Sequence, residues 1–289
     1  MELQTIAVRR LVAADAAAAD RVLMAAFRGE ESRRADILRY LTIEPEGWLL
    51  ALQGEEPVGM VGAVDYGPFA YLGLMAVHPS VHRHGIGRLL LETLLEELDG
   101  RGCPMVRLDA TEMGAPLYRQ FGFVEDGWSA RYVWTGRENG RAAMVSASGE
   151  ILSLRPTQIP AVADFDEPVF GARRERVLRV LLAEFPGRAF VARDGDGGVS
   201  GYLIAQRDRL GPWAARDPGV AAGLLGAALT LDFATGPRVL LPERSKDAVA
   251  FLERSGFEQL DLHRHMRRGG DAFPGRPGQL YGLASFAIG

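Results

Sequence analysis

Between Leu72 and Leu95 the chain reads LGLMAVHPSVHRHGIGRLLLETLL, and this order leaves little choice of local structure. An apolar strand comes first. Pro79 lacks an N–H and cannot extend a strand ladder, so the chain must leave the sheet after His78. Gly85 and Gly87 permit a turn and let backbone approach a ligand more closely than a Cβ would allow. From Ile86 onward, Leu89, Leu90, Leu94 and Leu95 fall on one side of a helix, with Glu92, Glu96 and Glu97 outside that stripe. The unbonded N–H groups of its first turn, and the positive end of its dipole, face the loop. Arg83 and Arg88 add charge there, and His82 and His84 add donors. Strand, glycine loop and helix N-terminus in this order are a recurrent way of holding a phosphate. Three plainer readings compete. A lone GxG before a helix often binds nothing. His78, His82 and His84 invite zinc, but no nearby Asp, Glu or Cys completes a tetrahedral set. The dinucleotide fingerprint needs a third glycine where Leu90 stands.

Length and composition narrow the setting. The 289 residues are long for one domain, so two are expected. Hydrophobic residues at 47% and charged residues at 24% fit a globular protein. A net charge of -4 counts against bulk affinity for nucleic acid, so an anion site must be local. The single cysteine, Cys103, excludes an internal disulfide and a cysteine metal cluster, and reads as a small buried residue before Pro104. MELQTIAVRRL lacks the apolar core of a signal peptide, and no apolar run of about 18 residues suggests a membrane span. The expected location is the cytoplasm, with no membrane and no metal.

Around the central stretch, TIAVRRL reads as a strand, and AADAAAADRVLMAAF and SRRADILRYL as helices, the second N-capped by Ser32. GWLLALQG, PVGMVGAVDYG and FAYLGLMAV make a meander of apolar strands. PMVRLDA is a further strand, and GAPLYRQFGFVEDGWSARYVW a short helix, a glycine stop and a final strand. Tyr118 lies on that short helix, where packing is the ordinary role for a tyrosine.

Taken together, these segments resemble the GNAT superfamily of acyl-CoA N-acyltransferases over residues 1–137. VHPSVHRHGIGRLL resembles the family's pyrophosphate loop, LGLMAV its splayed central strand, and LYRQFGF its LY-x-x-x-GF ending. His82 stands where Gln or Arg is usual, and Thr111 where many members have Asn. The resemblance implies an α/β (α+β) fold with a mixed, mostly antiparallel sheet flanked by helices. It implies acetyl-CoA as co-substrate, held by Met75, Ala76, Val77, His82, Arg83, His84, Gly85, Ile86, Gly87, Arg88 and Thr111. It implies N-acetyl transfer to a small-molecule primary amine by direct attack. Backbone N–H near Met75 to Val77 would polarise the thioester carbonyl, and Tyr118 would protonate the leaving thiolate. The general base stays open among Asp65, His78, Asp109 and the pair Glu30/Glu31, with Asp109 equally readable as a salt-bridge partner of Arg107. The alternative reading is a non-catalytic acyl-CoA sensor or regulator.

The second half repeats the order. After a linker at 138–149, residues 150–289 offer ILSLRPT, RRERVLRVLLAEF, RAFVARDG, GVSGYLIAQRD, RLGPWAARDPGVAAGLLGAAL and KDAVAFLERSGFEQLDLHRHMRR. Gly211 answers Gly73, Pro218 answers Pro79, and Gly256-Phe257 answers Gly122-Phe123. The basic loop is deleted after Pro218, and Phe251 and Leu252 stand near the place of Tyr118. This pattern resembles tandem GNAT proteins whose second domain no longer binds CoA. His263 and His265 read as a solvated strand face, and QLYGLASFAIG as a closing strand. A monomer forming an internal pseudo-dimer and a homodimer are both compatible.

Overall fold

The computed structural model describes residues 5–29, 31–136, 149–270 and 274–289. Most of the expected linker and Glu30 lie outside these residues. The described residues divide into two compact units, and the chain changes unit near the end of each half. The first comprises Met1–Val124 with Met266–Gly270 and Ile288; the second comprises Glu125–His265, Asp271–Ala287 and Gly289.

The first unit follows the period of its apolar residues. Strand β1 (Ile6–Arg10) is followed by helices α1 (Ala16–Phe27) and α2 (Arg34–Ile43). Strands β2 (Trp48–Gln53), β3 (Glu56–Asp65) and β4 (Ala70–Val77) then form an antiparallel meander with β1 at its edge. Helix α3 (Ile86–Gly100) crosses to β5 (Val106–Ala110), which runs parallel to β4. Helix α4 (Ala115–Arg119) leads out of this unit into β6 (Val124–Trp134), which from Glu125 onward belongs to the second.

Helix α3 covers one sheet face through Ile86, Leu90, Leu91, Leu94, Leu95 and Leu98, which pack with Val61, Ala63, Leu72, Val106 and Leu108. The expected stripe is rotated slightly: Leu89 is an exposed position, and Leu91 and Leu98 take its place in the core. Gly59 permits the approach of α3, because a Cβ there would lie 2.9 Å from Leu90 Cδ1 and 3.1 Å from Ile86 Cγ2. The α2 cap also differs from expectation. Arg33 is the cap, while Ser32 Oγ donates to buried Asp20 at 2.7 Å and accepts from Arg34 N at 3.3 Å.

The second unit rebuilds the same series with β7 (Glu150–Ser153), α5 (Ile159–Phe170), α6 (Glu175–Glu184), β8 (Ala189–Arg193), β9 (Val199–Ala205), β10 (Leu210–Ala215) and α7 (Pro218–Ala228). β11 (Arg238–Pro242), α8 (Lys246–Arg254), β12 (Phe257–Arg268) and β13 (Leu280–Gly282) complete it, apart from the last residues of β12. Its sheet runs β13-β10-β9-β8-β7. Gly201 repeats the role of Gly59, since a Cβ there would meet Val220 Cγ1 at 2.8 Å and Leu224 Cδ1 at 3.0 Å. The histidines of β12 are not a solvated face. His265 is 1% exposed, and the His263 ring lies 4.5 Å from that of Phe286. Both units are α/β with mainly antiparallel sheets.

Candidate active site

Strands β4 and β5 pair only at Ala70–Val106 and Tyr71–Arg107. Beyond Tyr71 they part, and β4 from Leu72 to Val77 keeps a ladder with β3 alone. The ladder with β3 is itself bulged. Gly62 pairs with Gly73 and Met60 with Ala76, so Leu74 and Met75 together oppose Val61, and Leu74 sits at φ 52°. A bulge re-aims backbone groups that a regular ladder would consume. Here it falls on the segment where a thioester carbonyl would need N–H donors.

The loop after β4 is tied down by its histidines. His78 Nδ1 meets Ser80 Oγ at 2.7 Å, and His82 Nε2 lies 2.9 Å from the carbonyl of Val77. The His82 ring thus braces the loop against its own strand. Arg83 (φ 67°) and Gly85 (φ 78°) are both left-handed, which coils the chain before α3. Gly85 is the cap of α3, and among the described residues no side chain bonds the first-turn amides there. A Cβ on Gly85 would meet nothing within 4 Å, so the cap opens onto free space, whereas one on Gly87 would touch Leu117 and Val77. His82, Arg83, His84 and Arg88 are all exposed around this cap. Arg88 bonds Gln120 Oε1, with its guanidinium 5.2 Å from the Phe121 ring centroid.

Tyr118 stands on the α3 side of the sheet, in one apolar cluster with Ile86, Leu90, Met75 and Val77. Its ring meets Phe123 edge-on at 5.6 Å, and it is 6% exposed. Burial pushes its phenol well above the ordinary value, so it holds its proton at neutral pH. Thr111 Oγ1 accepts from Gly114 N at 3.2 Å, which gives its hydroxyl a local capping role.

On the opposite face, α1 packs on β3 and β4. At the end of α1, a cleft is lined by Leu23, Met24, Phe27, Gly29, Glu31 and Arg33. Asp20 shapes this turn by accepting from Arg33 N at 2.6 Å as well as from Ser32.

The second unit has the same frame with its openings closed. Among the described residues a single bridge, Arg209–Arg238, joins the β10 and β11 segments in parallel, the counterpart of the β4–β5 fork. The space beside β10 is taken by β13, which pairs Gly282 with Trp213 and Leu280 with Ala214. Leu283 N bonds Leu240 O at 2.8 Å, tying the same segment to β11. Gln206 Nε2 joins it to β10 by donating to Gly211 O (2.7 Å) and Ala284 O (2.8 Å). The loop from β10 to α7 holds two residues, Arg216 and Asp217, against eight (78–85) between β4 and α3. At its end Asp217 caps α7, Oδ1 accepting from Val220 N at 3.0 Å. A carboxylate thus sits on the amide that an incoming phosphate would seek, and would repel that phosphate.

Residues 16–123 match the model of the acetyltransferase (GNAT) family, and residues 162–282 that of an acetyltransferase (GNAT) domain. The chain belongs to the GNAT family. It carries two GNAT domains in tandem, and it is an acyltransferase. Holothin acyltransferase of a Pseudoalteromonas species is 28% identical over 88% of this chain and 85% of its own. A putative acetyltransferase of Pyrococcus horikoshii shares 26% identity and a TM-score of 0.85, covering 100% of this chain and 98% of the other. A tandem GNAT protein from the clavulanic acid biosynthesis pathway has the same fold, with a TM-score of 0.65 at 17% identity, covering 93% of this chain and 100% of its own.

Within this GNAT frame the residues expected from sequence fall into groups. Met75, Ala76 and Val77 lie on the splayed part of β4, and His82 to Arg88 form the loop and the start of α3. Tyr118 shares an apolar cluster with both. Of the candidate bases, Asp65 Oδ1 accepts from Gly67 N at 2.8 Å in the β3–β4 turn, at the closed end of the fork. His78 is engaged with Ser80, and Glu31 is exposed at the α1 cleft. Among the described residues no three His, Cys, Asp or Glu side chains gather as a metal site, and no helix is long and apolar enough to cross a membrane. Sequence reading missed Tyr71 and the bulge at Leu74; it expected a closing strand in QLYGLASFAIG, where β13 lies, but not its place beside β10. Only Asp217, an Asp just before Pro218, carried a readable capping signal.

Proposed function

We propose that this chain moves an acetyl group from acetyl-CoA to the primary amine of a small molecule by direct attack, with one acyl-CoA site in the domain at 1–137. The domain at 150–289 keeps the scaffold and does not take the co-substrate. One observation carries this reading: an open β4–β5 fork leads to an uncapped helix N-terminus ringed by Arg83, His84 and Arg88. The fork suits an extended pantetheine arm, and the cap suits a pyrophosphate. Backbone amides at the Leu74–Met75 bulge stabilise charge on the carbonyl oxygen, in place for the transition state. Tyr118, kept protonated by burial, gives its proton to the leaving sulfur.

The acceptor enters from the α1 side. The walls of the cleft, Leu23, Met24 and Phe27, suit an amine with an apolar body. The name of the Pseudoalteromonas relative agrees with acyl transfer as the reaction type. Calorimetric titration with acetyl-CoA, followed by thiol release over a panel of primary amines, tests the reading. Saturable binding and release of CoA with at least one amine are expected. Absence of acetyl-CoA binding would overturn the proposal.

A further inference from the structure

The proposed reaction needs a group that removes a proton from the acceptor ammonium, and the fork itself offers one. Side chains alternate along a strand. On β5, Val106, Leu108 and Ala110 join the apolar cluster beneath α3, so Arg107 and Asp109 project from the other face. On β4, Ala70 and Leu72 join the same cluster, so Tyr71 shares the face of Asp109. Tyr71 is the last residue of β4 paired with β5, at the point where the strands part. Its hydroxyl donates to Asp109 Oδ2 across the opening. Tyr118 stands on the cluster side. The carboxylate and the proton donor for sulfur therefore lie on opposite faces of the fork. That is the arrangement an attack from one side and a departure toward the other requires.

We propose that Asp109 is the base for the acceptor amine, with Tyr71 as the positioning residue that holds its carboxylate at the mouth of the fork. This rests on the acetyl-transfer reading above. Asp109 Oδ takes one proton from the ammonium, leaving a neutral amine whose lone pair forms the N–C bond to the thioester carbon. Collapse of the tetrahedral intermediate breaks the C–S bond. The sulfur takes the Tyr118 proton, and a second proton lost from nitrogen restores the phenol. The proton on Asp109 passes to solvent, so the sum is ammonium plus acetyl-CoA giving amide, CoA thiol and one proton.

The surroundings suit a carboxylate that is half-buried and hydrogen-bonded. Tyr71 is 2% exposed, and burial, followed by the Asp109 charge acting on it, raises its phenol well above the ordinary value. The phenol stays a donor through the working range. The groups facing the pair include Arg107, whose guanidinium lies 5.2 Å from the Phe69 ring centroid, Tyr66, and Arg267 of β12, the strand next to β5, whose neighbour Met266 joins the cluster on the other face. The neighbouring elements add Asp20 of α1, held by Ser32 and Arg33, and Asp65 of β3, held by Gly67.

The test compares the wild-type chain, Asp109→Asn and Tyr71→Phe with acetyl-CoA and the fastest amine of the panel, measuring kcat, KM and calorimetric acetyl-CoA affinity across pH. Asp109→Asn should lower kcat by about 100-fold or more, the scale of a lost general base, while acetyl-CoA affinity stays within threefold of the wild type. Tyr71→Phe removes a donor that favours the charged carboxylate, so the acid limb of kcat should move to higher pH, with the rate recovering above it. Asp109→Asn turning over within threefold of the wild type would overturn the proposal. So would an acid limb unmoved in Tyr71→Phe, which decides the matter should Asp109→Asn fail to fold. A wild-type chain that acetylates no amine of the panel would instead sink the acetyl-transfer reading, and this proposal with it.

Discussion

At the scale of residues, the candidate site turns on groups whose environment differs from their neighbours'. Tyr118 is a buried phenol whose pKa is raised above that of an exposed tyrosine by loss of solvent. Tyr118→Phe removes one oxygen and leaves the edge-on contact with Phe123 in place. Turnover should fall by about 100-fold, within the range for a lost general acid, with acetyl-CoA affinity unchanged. Steady-state kinetics beside calorimetry checks both halves, and an unchanged kcat would remove Tyr118 from the reaction. A second residue-scale effect is purely steric. A Cβ on Gly62 would fall 2.1 Å from Trp48 Cε3, and the indole cannot yield because Nε1 is bound to Tyr40 O at 3.1 Å and the ring stacks on Tyr40. Gly62→Ala should cost about 1–3 kcal/mol, as overpacked cores do, seen as a lower denaturant midpoint. Tyr118 was legible because it sits in a spaced motif. Tyr71 was not, because nothing near it in sequence reveals Asp109, 38 residues away.

At the scale of elements, α3 and α7 make a controlled pair. Both approach the sheet over a glycine, Gly59 or Gly201, and both bury an apolar stripe. They differ at the cap. Gly85 leaves the α3 amides without a side-chain partner, while Asp217 occupies those of α7. Asp217→Ala should therefore destabilise the chain by about 1 kcal/mol, the usual cost of a lost cap, as a lowered melting temperature. The insertion of β13 depends on backbone contact. A Cβ on Gly211 would fall 2.1 Å from Leu283 O, so Gly211→Ala should destabilise more than Asp217→Ala does, by the same measurement. The strands and helices could be read in order because apolar periods of about 2 and 3.6 residues mark them locally. The bulge at Leu74 and the place of β13 beside β10 could not. Both are set by pairing between distant segments, and a non-glycine left-handed residue such as Leu74 leaves no mark in sequence.

At the scale of the whole molecule, the chain holds two copies of one fold and one open fork. In the first unit, Gly73 and Ala76 pair with β3 and stand clear of β5. In the second, Trp213 and Ala214 pair with β9 on one side and β13 on the other. The aromatic cluster of Trp213, Phe251 and Tyr281, with ring centroids 5.3–6.0 Å apart, fills the ground beside that segment with apolar side chains. Deleting a basic loop would weaken a phosphate site; filling the fork with a hydrogen-bonded strand removes the room for a pantetheine arm. The two closures are independent, so relieving one leaves the other in force. Acetyl-CoA should bind with a stoichiometry of one per chain, and Asp217→Gly, which takes the carboxylate off the α7 amides, should leave that value at one. Calorimetric titration of both proteins decides it. A second equivalent in the wild type would show that β13 yields to the co-substrate. A second equivalent in Asp217→Gly alone would show that the carboxylate, and not the strand, keeps the second fork closed.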